Sequence, residues 1–160
     1  MRFFDAHCHL DHPAFGGTGL PGTTPFPNAR VIAGYDLVGD NYDSSGTAEQ
    51  QVPVPDPIPD DCNGHGTHVA GIAAGRPGMN ASGDTLTGVA RDANVIAIQV
   101  FTRFTNNSDC DGSAPCVKSF ASDQISGLER VRDLANLTDG GGNPIFHIAS
   151  VNMSLGDDSK

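Results

Sequence analysis

The stretch Asn94 to Phe101 reads Asn, Val, Ile, Ala, Ile, Gln, Val, Phe. A mostly apolar run of that length has no polar face to turn to water, so it fits a strand covered on both sides, as in a parallel sheet layered by helices. Val31 to Val38, a β-branched and aromatic run interrupted by Gly34, reads as a second strand, and so does Met1 to Asp5, a short apolar stretch ending in an acid. Ile145 to Ser154, with Ile145, Ile148, Val151 and Met153, reads as a further buried strand.

Helices fall between these runs. Small and apolar residues fill Gly66 to Ala74, and Gly75 with Pro77 supplies the stop, which predicts a short, deeply buried helix with His65 at its mouth. Ile125, Leu128, Val131 and Leu134 recur at helical spacing with charged residues between them, an amphipathic helix. Strand, helix, strand implies a right-handed parallel crossover. Pro13 to Asn28 and Asn41 to Asn63 read as loops. In the second of these, Pro53, Pro55, Pro57 and Pro59 alternate in a way that excludes a helix or a central strand. The expected class is α/β, a mostly parallel sheet with helices on both faces. Such sheets place their ligand sites beyond the carboxyl ends of the strands, where Asp5, His65 and Ser154 lie at element boundaries.

At 160 residues the chain has room for one domain, residues 1–160. Lys and Arg total 9 against 19 Asp and Glu, a formal charge of −10, with the basic residues scattered, which argues against nucleic acid as a partner. No apolar run approaches the roughly 20 residues of a spanning helix, so no membrane partner is expected. Met1 to Leu10 lacks the basic, apolar and small-residue succession of a secretory signal. There is no internal repeat or heptad pattern, and the sequence does not specify an oligomeric state.

The most specific segment is Asn63, Gly64, His65, Gly66, Thr67, His68, Val69, Ala70, Gly71, continued by Ile72, Ala73, Ala74 and Gly75. A histidine at the N-terminus of a helix has a fixed position, and the helix dipole disfavours its protonated form, which suits a general base. The run from His65 to Gly71 resembles the histidine motif of the subtilisin-like serine proteases. Gly88 to Ala93 is similar to that family's turn into its next strand, with Arg91 where a proline is common. Asn152, Met153, Ser154, Leu155, Gly156 resembles the strand that pairs with substrate backbone. The resemblance extends over essentially the whole chain.

That resemblance implies a partial subtilisin-like three-layer fold and serine-type endopeptidase chemistry: peptide-bond hydrolysis through an acyl-enzyme, with acid, histidine and serine in that chain order. His65 matches the catalytic histidine, while His68, one turn on, reads as structural. Asp5 matches the acid that fixes the histidine tautomer. Backbone groups of Ser154, Leu155 and Gly156 would bind an extended polypeptide as an added strand. The family's nucleophile follows a glycine far downstream. Only Asp157, Asp158, Ser159 and Lys160 come after Gly156, and Ser159 lacks that context. The oxyanion-hole asparagine also lies downstream in the family. The expectation is therefore an amino-terminal, inactive fragment of an extracellular protease, with a sheet edge and apolar faces laid open. No cofactor is expected for catalysis. The family's use of calcium for stability implies oxygen ligands, for which Asp36 to Asp43 and Asn80 to Asp84 offer Asp and Asn.

At the amino terminus, Ala6 and His7 stand where the family carries a small hydroxyl residue and a glycine. Asp5, His7, Cys8, His9, Leu10, Asp11 resembles instead the opening of the TatD-type metal-dependent deoxyribonucleases, in which His7 and His9 would chelate one ion. An eight-stranded barrel of that kind needs about 250 residues. A third reading is a non-catalytic peptide-binding remnant that keeps the Ser154 strand. Cys110 and Cys116 bracket a polar loop at a spacing that can close a disulfide. Cys8 and Cys62 are free thiols or partners of each other or of other residues.

Overall fold

A computed structural model describes residues 24–61, 63–79 and 82–156. The chain divides into two compact units, one formed by Met1–Asn41 with Pro53–Gln99 and the other by Tyr42–Val52 with Val100–Lys160. Met1 to Asp5, the expected first strand, lies outside the described residues.

In the first unit, β1 (Val31–Asp36) and β4 (Val95–Gln99) pair in parallel, with Val31 opposite Val95 and Asp36 opposite Gln99. Both strands fall where the apolar runs predict them. All five residues of β4 are half-buried, less covered than its composition suggests. Among the described residues it has a ladder partner on one side only. The core of this unit holds Val31, Val38 and Ala74. Two short strands, β2 (Gly78–Met79) and β3 (Thr85–Leu86), make an antiparallel pair.

The alternating prolines do form an edge. Pro53, Pro55 and Pro57 have no amide hydrogen, and the amides between them, Val54 and Asp56, donate to the carbonyls of Val38 and Asp36 at 3.0 Å each. A strand with every second donor removed can pair along one side only, which the prolines permit while blocking further pairing.

Helix α1 (His65–Ala74) follows. It buries Ala74 alone and leaves Ile72 58% exposed, so the expected deep burial is corrected. Its small side chains instead let backbone approach its end. A helix leaves its last carbonyls without partners. Here the amides of Gly88, Val89 and Ala90 donate to the carbonyls of Gly75, Ile72 and Ala73 at 2.8, 3.0 and 2.8 Å, and the Arg30 guanidinium donates to Ala74. Gly88 is required there, because a Cβ on it would stand 2.4 Å from the Gly75 nitrogen.

In the second unit, β5 (Thr102–Phe104) and β6 (Cys116–Lys118) form an antiparallel hairpin. The Cys110–Cys116 disulfide ties the connection between these strands to the start of β6, with Cα atoms 5.6 Å apart. The Phe104 and Phe120 rings pack at 6.0 Å between centroids. Asp43 bridges to Arg103, and the Ser45 hydroxyl accepts from the Thr105 amide at 2.6 Å. Burial alone would raise the Asp43 carboxyl, but hydrogen bonds from Thr105 and Ser45, with the charge of Arg103, hold it below the usual carboxylate range.

Helix α2 (Ala121–Ala135) is the predicted amphipathic helix, with Asp123 in its first turn and Arg132 in its last, both favourable to the helix dipole. Leu134 is buried and Val131 half-buried, whereas Ile125 and Leu128 are exposed. Ile145 to Ser154 is not a strand: it runs without a ladder, and Ile145, Val151 and Met153 are exposed. The predicted crossover to a strand after α2 is thus not formed among the described residues. A parallel pair, antiparallel hairpins and two helices give the α/β class.

Candidate functional site

His65 is the first residue of α1 and is exposed. The chain reaches it through Gly64, whose φ of 88° is left-handed and so favours glycine. Gly64 places no side chain over the first turn of the helix. Asp61 does so instead. Its Oδ2 accepts from the Thr67 amide at 2.6 Å and the Thr67 hydroxyl at 2.7 Å, and its Oδ1 accepts from the Gly64 amide at 2.8 Å and the Asn63 amide at 3.2 Å. His68 is exposed, and its amide donates to the Gly64 carbonyl at 3.0 Å as a helical bond. The sequence reading passed over Asp61. The signal was available in the helix start, since a glycine N-cap leaves first-turn amides that a nearby Asp can take.

Asp5 lies outside the described residues, and so do His7, His9, Cys8 and Cys62. Ser154 and Gly156 are exposed and Leu155 is half-buried. The Asn152 carboxamide donates to the Ser154 hydroxyl at 3.0 Å. Among the described residues, the backbone of Val151 to Gly156 makes no backbone hydrogen bond. His65 belongs to the first unit and Ser154 to the second.

Among the acids considered for calcium, Asp36 holds the turn that follows β1. Asp36 is buried, and its Oδ1 accepts from the amides of Val38 and Gly39 at 2.7 Å each, while Oδ2 has no partner. Burial pushes its carboxyl above the usual range, against the pull of those two amides, and the nearby charges of Asp56 and Asp40 add to the rise. Asp40 is raised as well, by burial and by Asp56. Among the described residues, no group of three or more His, Cys, Asp or Glu side chains is placed to hold a metal ion.

Comparison with known proteins places the sequence in a family. The model of the subtilase family, peptidase S8, matches residues 4–143. The chain is 35% identical over 166 residues to subtilisin-like protease 6 of Trichophyton rubrum, covering 92% of this chain and 34% of that protein. It is 30% identical over 151 residues to alkaline serine exoprotease A of Vibrio alginolyticus, covering 88% of this chain and 22% of the relative. It is also 37% identical over 86 residues to a thermophilic serine proteinase of Bacillus sp. strain AK1, covering 54% of this chain and 17% of the relative. No solved structure matches significantly. The chain belongs to the subtilase family. It spans about a third or less of the length of these relatives. Among the described residues no helix is long and apolar enough to cross a membrane.

Proposed function

We propose that the chain supplies the acid and the base of a serine-type endopeptidase, with Asp5 and His65 in those roles and the nucleophilic serine carried by polypeptide outside these residues. The observation that bears most weight is His65 at the solvent-facing head of α1, within the segment matched by the subtilase model. In this reading a serine hydroxyl attacks the scissile carbonyl and passes its proton to the His65 imidazole. The imidazole then gives that proton to the leaving amine, and water releases the acyl group by the reverse sequence. Asp5 accepts a hydrogen bond from the other imidazole nitrogen and so fixes the tautomer.

The resemblance of Asn152 to Gly156 to the family's substrate-pairing strand supports a polypeptide substrate, which would add as a strand along Ser154, Leu155 and Gly156 while side-chain pockets set specificity. The formal charge of −10 disfavours nucleic acid. The Cys110–Cys116 disulfide supports action outside the cell, since such bonds persist in oxidising compartments.

The test is labelling with a fluorophosphonate probe. The 160-residue chain takes up no label. A longer product of the same reading frame labels on serine, and both labelling and peptide hydrolysis fall by about 10³-fold or more in His65→Ala and in Asp5→Ala. Full activity in His65→Ala overturns the assignment.

A further inference from the structure

We infer that Asp61 is the positioning residue for His65. The inference rests on the proposed role of His65 and concerns what holds that residue in place. His65 is exposed at the start of α1, so packing contributes little to holding the backbone of that turn. Its neighbour Gly64 is left-handed and has no side chain, which leaves this turn without a conventional cap.

One carboxylate makes good both shortages. Asp61 Oδ1 takes the amides of Asn63 and Gly64, just before His65, and Oδ2 takes the amide and hydroxyl of Thr67, just after it. The four bonds bracket His65 in sequence and join the approach loop to the helix. Bonds to an ionised acceptor are about twice as strong as neutral ones, and a negative charge at this end of α1 also suits the helix dipole. A histidine that must meet both a serine and an acid tolerates little displacement: a shift of about 1 Å costs on the order of 10²-fold in rate. Asp61 touches neither substrate nor serine in this account and acts only by holding the turn.

The experiment uses the 160-residue chain and nuclear magnetic resonance at a temperature well below its unfolding midpoint. In the wild type, His65 shows one side-chain conformer, and the Gly64 and Thr67 amides exchange slowly with solvent. Asp61→Ala gives averaged His65 side-chain couplings and speeds exchange at both amides by about tenfold or more, while the β1 and β4 amides keep their protection. Asp61→Asn keeps one acceptor oxygen but turns an NH2 donor toward the other pair of donors, so it restores at most part of the order. Thr67→Val, which loses only the hydroxyl bond, gives a smaller change in the same direction and serves if Asp61→Ala does not fold. Unchanged His65 couplings in Asp61→Ala overturn the inference, as does loss of protection spread equally over β1 and β4. A serine-bearing longer product adds an arm of its own: Asp61→Ala lowers kcat with KM nearly unchanged. If that product is inactive as wild type, the protease reading fails, and the resonance result still decides what Asp61 does.

Discussion

The guanidinium of Arg30 donates to the carbonyl of Ala74, tying the residue before β1 to the last turn of the helix that begins at His65. Arg30 is buried, and burial, with the charge of Arg76, lowers its pKa against the opposing pull of Asp92. The bond from Arg30 to Ala74 completes the capping of α1. Arg30→Ala is expected to cost about 3 kcal/mol, combining a lost charge-assisted bond with lost packing of the stem. Arg30→Met keeps much of the stem and costs about half as much. Urea denaturation of both variants checks the ordering.

Gly88 sets a second prediction. Gly88→Ala places a methyl group against the Gly75 nitrogen and the Ala74 backbone, so the segment that caps α1 must move away. A loss of about 1 to 3 kcal/mol follows from such crowding. Hydrogen exchange locates the effect: the Val89 and Ala90 amides, bonded to Ile72 and Ala73, lose protection first.

Much of this was legible in advance. Apolar runs located β1 and β4, and periodicity located α2, because those patterns report how a segment can be buried. They do not report what covers it. Ile145 to Ser154 has the composition of a strand and no ladder, and α1 has the composition of a core helix and exposes Ile72. The proline alternation excludes a helix or a central strand, and the two amides it spares pair along an edge. The histidine motif was plain because its residue order is specific. Asp61 was hidden beside Asp56 and Asp60, side chains alike in sequence and separated only by where the turn aims them.

Asp36 predicts how stability responds to pH. Its folded-state pKa is raised, so the native chain keeps a proton that the unfolded chain has already released. The stability from this group is complete below the ordinary carboxylate range and is lost as pH rises through the higher folded value. Asp36→Asn retains an oxygen for the Val38 and Gly39 amides and offers a donor in place of the unpartnered Oδ2. The variant therefore melts higher than wild type at pH 8, and the difference shrinks toward pH 4. Melting curves at several pH values in one buffer series test this, and a constant difference counts against it.

The Cys110–Cys116 bond closes a small ring beside the β5–β6 hairpin. Replacing both cysteines by serine is expected to cost about 2 kcal/mol, the loop-closure entropy for a ring of this size. Reduction of the wild type with a dithiol matches the double variant within error, as read by denaturation midpoints.

The parallel pairing of Val31 with Val95 fixes the order in which the molecule can be made. A ribosome delivers β1 early and must then synthesise the whole Tyr42–Val52 excursion, the proline edge and α1 before β4 emerges to meet it. The excursion in turn waits for Arg103. Neither unit can close while the nascent chain is short, so translation itself passes through a long interval of unpaired strands, the stage at which a cell's chaperones have most to protect.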